Sequence, residues 1–346
     1  MTNDEKNSFC RSCCRFCGCF ACFVQRTKDD SEKNKTAKRY TFYSLDTDCS
    51  LTVYGDDDSY ANVAADAVDV INKFFSDGKN ISLADKGTTL SFSEEQYALL
   101  KKGAEMYEFT DGAFDMTIAP VTKLWNIPEN KTPPDAAAIA AMLSFVGTSK
   151  LKFNDADRTV TFESFGGIDI GGIAKGYAGN YAVSALKNAG CSAGVLSLGG
   201  NVVVWGDKPD GSDYTVAVKS PLSSGQTSEY LGNIKCKDVC VVTSGTYERF
   251  FEYEGKRYHH IIDPSTGYPA DTDVLSATVV AEDGAYADAL ATAFVVLGYE
   301  KSASYIESAI EKGYIKGAVL VNSRCRVSVY GDINFELTSG DFVKDE

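Results

Sequence analysis

Asp288 and Thr292 stand four residues apart in a stretch, 283–297, that reads as a helix. Residues at i and i+4 share a helix face, so this spacing stacks a carboxylate on a hydroxyl. Those are two hard oxygen donors of the kind Mg²⁺ takes. Spacing alone allows an ordinary polar helix surface as well. The apolar run from Ala293 to Leu297 argues for a buried face, where an unpaired carboxylate is costly. Shortly upstream lie the only two histidines of the chain, His259 and His260. Histidine is the side chain best poised to accept a proton near neutral pH. A run of turn residues follows them, Asp263-Pro264-Ser265-Thr266-Gly267-Tyr268-Pro269.

Further motifs could join this stretch. Asp169-Ile170-Gly171-Gly172-Ile173-Ala174-Lys175 is a glycine-rich turn entering a helix, 175–189. Such an entry exposes backbone amides to an anion and lets a ligand approach the backbone. It serves equally as a plain helix start, and its glycine spacing is not that of a Rossmann fingerprint. Thr243-Ser244-Gly245-Thr246-Tyr247 reads as a turn whose hydroxyls either bind phosphate or cap a helix. In Thr110-Asp111-Gly112-Ala113-Phe114-Asp115, Gly112 suits a tight backbone turn.

Taken together and in this order, the 110–115, 169–177, 198–201 and 243–245 motifs and the His260-Ile261-Ile262-Asp263-Pro264 segment with its following helix resemble the ApbE family. Members of that family are flavin transferases that move FMN from FAD onto a threonine or serine of another protein. The resemblance runs from about Arg39 to the C-terminus. It implies an α+β fold, ApbE-like and related to the T-fold, with mixed β-sheets flanked by helices. It further implies that Leu45, Ala113, Phe114, Asp115, Asp169, Lys175 and Ile262 contact FAD. Gly172, through its carbonyl, would hold Mg²⁺ (or Mn²⁺) together with Asp288 and Thr292, and His260 would be the catalytic base. FAD is then the substrate, and the partner is an acceptor protein of a flavin-dependent redox system. FAD hydrolysis to FMN and AMP, or flavin binding without catalysis, are the competing readings.

Several elements are expected to position these residues. Residues 40–54 alternate enough for a first strand. Residues 59–75 carry an apolar stripe at Ala64, Val68, Ile71 and Phe75, the mark of a helix packed on a sheet. Ser93-Glu94-Glu95-Gln96 is a capping box opening a helix to about Phe109. A helix is expected over 136–146 after Pro133-Pro134-Asp135. Residues 150–162 read as a hairpin. Residues 195–205 read as a buried strand pair broken at Gly199-Gly200-Asn201, with further strands at 214–218, 239–242 and 274–281.

The net charge of −14 argues against nucleic acid or an anionic membrane as the main partner, since both demand basic patches. An acidic protein that binds an anionic dinucleotide needs a cation at the site. The chain divides at about residue 38. Six of the 11 cysteines fall between Cys10 and Cys22. That segment reads as a zinc site, a site of acylation, or a degenerate export segment. Residues 25–38 read as a flexible tether, and 39–346 as one catalytic domain. By resemblance the protein is exported and held to a membrane as a lipoprotein, with a cytoplasmic location as the alternative.

Overall fold

The structure, a computed structural model, describes residues 25–27, 37–54, 57–76, 83–222 and 230–345. The cysteine-rich segment at 10–22 lies outside these. Seven α-helices occur among the described residues: α1 (Tyr60–Ser76), α2 (Glu94–Phe109), α3 (Ala119–Trp125), α4 (Ala136–Leu143), α5 (Ala174–Asn188), α6 (Gly284–Leu297) and α7 (Tyr299–Glu311). None is long and apolar enough to cross a membrane.

The helices flank a ten-stranded sheet. Its strands run in the order Gln25–Thr27, Ala37–Ser44, Thr47–Tyr54, Gly194–Leu198, Asn201–Trp205, Val239–Gly245, Val274–Ala281, Gly317–Asn322, Arg326–Gly331, Val343–Lys344. Every pair is antiparallel except the last, which is parallel, so the sheet is mixed and the α+β class holds. Gln25–Thr27 lies within the stretch read as a tether, where it forms an edge strand.

Alternation sorts the strand residues to two cores. Cys240, Val242, Ala277, Val279, Ala318 and Leu320 face the helices. Val239, Val241, Val280, Val319 and Val321 face the other way and pack against a three-stranded sheet carrying Val216, Ile234 and Phe335. A strand buried on both faces reads as continuously apolar, as 239–242 does, whereas 274–281 is buried on both faces with Ser276 and Thr278 among its apolar residues.

Most local expectations hold. The capping box is present, with Gln96 N–H donating to Ser93 Oγ and Ser93 N–H donating to Gln96 Oε1. Asp135 caps α4. Leu151–Asn154 pairs with Thr159–Phe162 as a hairpin. The expected strand at 40–54 is corrected: it is a hairpin, Ala37–Ser44 against Thr47–Tyr54. Its two turn residues, Leu45 and Asp46, have φ of 51° and 54°. Such turns usually announce themselves with Asn or Gly, and this one has neither.

Helix α6 is buried nearly all round, as expected for a helix without a polar face. It crosses α5 at very close range. A Cβ added to Gly176 would lie 1.8 Å from Gly284 O. Only glycine on both sides allows that approach, and it brings the first turn of α5 against the Asp288 turn of α6.

Candidate active site

Two adjoining cavities lie over the α5–α6 crossing. The outer is a cleft of about 1070 Å³ and the inner a chamber of about 150 Å³. Leu45, Asp169, Lys175, His260 and Ile262 line the cleft. Ala113, Phe114, Asp115, Gly172, Asp288 and Thr292 line the chamber, together with Asp169, Lys175, His260 and Ile262. The structure therefore gathers all eleven residues singled out in the sequence around one connected space.

Asp288 is 3% exposed, and Gly176 N–H donates to its Oδ2 at 2.9 Å. That amide belongs to the first turn of α5, where the unpaired N–H groups and the helix dipole favour negative charge. No lysine or arginine among the described residues forms an ion pair with Asp288. Thr292 follows one turn later on α6, with its Oγ1 3.3 Å from Ser244 Oγ. Gly172 sits beside it: a Cβ there would meet Thr292 Oγ1 and Phe114 at 3.2 Å. A carboxylate, a hydroxyl and a carbonyl are a hard-oxygen donor set suited to a Mg²⁺-like ion whose other positions hold water or phosphate oxygens. No cluster of three or more His, Cys, Asp or Glu is placed to hold a metal among the described residues.

The two histidines differ in what they have left to offer. His259 is buried, with Nε2 2.9 Å from Ala270 O and Nδ1 accepting from Ile261 N–H at 3.3 Å. A carbonyl can only accept and an amide N–H can only donate, so both nitrogens are spent and the ring is neutral with its proton on Nε2. His260 lines both cavities. Its Nδ1 lies 3.3 Å from Arg249 O, which places the proton on Nδ1 and leaves Nε2 as the basic nitrogen. Burial above all, with the positive charges of Lys175 and Arg249 acting in the same direction, brings its pKa down to about 4. At neutral pH the ring is therefore an unprotonated acceptor.

Asp169 shapes the glycine-rich turn. Its Oδ1 accepts from Gly171 N–H at 2.8 Å and its Oδ2 from Thr122 Oγ1 at 2.8 Å. Asp115 is committed to the protein, accepting from the backbone and hydroxyl of both Thr117 and Thr148. Burial pushes its carboxyl up while these donors pull it back. The Asp263–Pro269 turn is held by Trp125, whose Nε1–H donates to Gly267 O at 2.7 Å and whose ring lies against Tyr258 and Tyr268.

Sequence reading missed the cationic wall of the cleft. Lys219, Arg249 and Arg257 line it beside Lys175, in a protein whose net charge is −14. Glu248 lines both cavities as well. One signal was available: Glu254-Gly255 centres a hairpin that pairs Phe250 with His259, which carries Arg249 across to His260. Nothing local announces Lys219. Thr243 to Gly245, expected as a turn, ends the strand Val239–Gly245, with its residues on the chamber wall.

A family model described as the ApbE family matches residues 45–315. An FAD:protein FMN transferase of Treponema pallidum is 37% identical over 225 residues, 61% of this chain and 62% of that protein, so the match spans less than two thirds of that relative. Another of Klebsiella pneumoniae is 33% identical over 67% of this chain and 71% of its own length. The crystal structure of the ApbE protein from Thermotoga maritima superposes with a TM-score of 0.75 at 31% identity, covering 86% of this chain and 96% of that one.

Proposed function

The chain belongs to the ApbE family, and from that premise we propose that it transfers the FMN moiety of FAD to a threonine or serine hydroxyl of an acceptor protein, releasing AMP. The observation that carries this reading is the adjoining of a chamber holding Asp288, Thr292 and the Gly172 backbone to a cleft of about 1070 Å³. Ordinary small-molecule pockets run from about 300 to 1,000 Å³, so a dinucleotide has room.

In this reading Lys175 receives the pyrophosphate, and Lys219, Arg249 and Arg257 offer positive charge to the rest of the anion. Leu45 and Ile262 give the flavin apolar surface in the cleft, and Phe114 lines the chamber that takes the phosphates. Asp288, Thr292 and the Gly172 carbonyl would hold Mg²⁺, or Mn²⁺ in its place, which supplies charge neutralisation at the phosphate oxygens. His260 Nε2 takes the proton of the incoming hydroxyl. The hydroxyl oxygen bonds to the phosphorus on the FMN side as the bond to the AMP oxygen breaks. Asp169 and Asp115 touch none of the reacting atoms and hold the loops that do. Attachment to a membrane through a lipid on the N-terminal cysteines belongs to the same proposal, and those residues precede the domain.

The test is an intact-mass measurement on a threonine-bearing flavin acceptor domain after incubation with the protein, FAD and Mg²⁺. A gain of one FMN, abolished by EDTA, is expected. Free FMN and AMP without a mass gain would make the protein a hydrolase, and unchanged FAD would make it a flavin-binding protein.

A further inference from the structure

Three buried side-chain polar atoms have no hydrogen-bond partner among the described residues: Ser44 Oγ, Asn201 Nδ2 and Ser276 Oγ. Only Asn201 lines either of the two cavities. Its residue is 3% exposed, so the amide has no access to bulk water. A buried donor without an acceptor costs about 1–3 kcal/mol, and a fold keeps one only where something else compensates.

The local chain explains why the amide is aimed inward. Gly199 and Gly200, with φ of 59° and 100°, make a two-residue hairpin turn that pairs Leu198 with Asn201. A side chain at Gly199 would lie 2.4 Å from Thr47 Oγ1, so the turn fits only as glycine. Asn201 therefore opens the next strand in a fixed register. Val203, two residues on and so on the same face, packs beneath α5 at Gly179. Asn201 thus faces the helix layer that carries Gly172 and Asp288, and reaches the chamber they line.

The chamber wall there also carries Ser244, whose Oγ lies 3.3 Å from Thr292 Oγ1. At about 150 Å³ the chamber suits a phosphate group, not a three-ring flavin. We propose that Asn201 is a specificity-determining residue of this site, its Nδ2–H donating to a phosphate oxygen of the bound dinucleotide. The inference rests on the FAD-transferase reading. It explains the orphaned amide as a donor kept free for a ligand.

The experiment measures FAD and riboflavin affinities by flavin fluorescence, in Mg²⁺, for the wild-type protein, Asn201→Ala and the near-isosteric Asn201→Leu, with a melting curve for each. Removing a hydrogen bond to a charged group should weaken FAD binding about ten- to a hundredfold. Riboflavin, which has no phosphate, should bind within twofold of wild type. The melting temperature of Asn201→Leu should hold or rise, because an unsatisfied buried donor is gone. A structural asparagine would lower the melting temperature and weaken both ligands together. Equal loss for FAD and riboflavin, or no loss for either, overturns the inference and leaves the transferase reading standing. A wild-type protein that fails to bind FAD overturns both.

Discussion

Gly176 N–H donates to Asp288 Oδ2 at 2.9 Å, across 112 residues of sequence. The bond joins the first turn of α5 to α6 at the one place where two glycines let the helices nearly touch. It fixes the carboxylate on the wall of the chamber that Gly172 and Thr292 also line, and so sets the geometry of the proposed cation site.

Asp288→Asn keeps the shape of that side chain and removes its charge. Transfer should fall by at least about a hundredfold, the scale of losing a preorganised charge partner at a phosphoryl centre. Raising Mg²⁺ should restore part of the rate. A rate within threefold of wild type in a single-turnover assay would remove Asp288 from the proposed site.

Gly176→Ala tests the helix crossing. A methyl there would sit 1.8 Å from Gly284 O, a backbone atom that cannot turn aside. Overpacking of this kind costs about 1–3 kcal/mol or more, and at this chain length each kcal/mol lowers the melting temperature by roughly 1–2 °C. Calorimetry should show a fall of several degrees. An unchanged melting temperature would mean that the two helices separate freely.

His260 sets a pH dependence. Its pKa is about 4 in the folded protein and near 6.5 when unfolded, so the unfolded chain binds more protons between those values. Stability contributed by the neutral ring is full above about pH 6.5 and is lost as the pH falls toward 4. His259, lowered in pKa by burial, adds in the same direction. Denaturant midpoints from pH 7 to 4 should decline in the wild type and decline less in His260→Gln. The same substitution should reduce transfer by about a hundredfold or more, the range for losing a general base. A pH slope identical to wild type would show that His260 is not the titrating group.

Trp125→Phe removes the donor to Gly267 O while keeping most of the aromatic packing. The buried carbonyl left behind should cost about 1–3 kcal/mol. Because the turn it anchors follows Ile262 directly, KM for FAD should rise more than kcat falls. Equal changes in both would place Trp125 in general stability only.

Much of the fold was legible because its signals are local. The capping box of α2, the 150–162 hairpin and the 274–281 strand depend on residues within a few positions of one another. Leu45-Asp46 hid its hairpin because neither residue advertises the positive φ that it adopts. The placing of Asp288, Thr292 and His260 in one stretch was also readable, since an i, i+4 pair is set by the helix itself.

By itself the sequence determined the elements, the family motifs and the pairing of carboxylate with hydroxyl on α6. The family motif had already singled out His260, and the tertiary structure supplied the reason, because His259 loses both nitrogens to Ala270 and Ile261 through the return of the turn. The tertiary structure alone gathered Lys175, Lys219, Arg249 and Arg257 around one cleft of an acidic protein, a grouping invisible to net charge. The reason is physical: propensity and periodicity act over one or two turns of chain. A site is set by which distant backbones can approach, and here two glycines 108 positions apart (284 − 176) allow that approach.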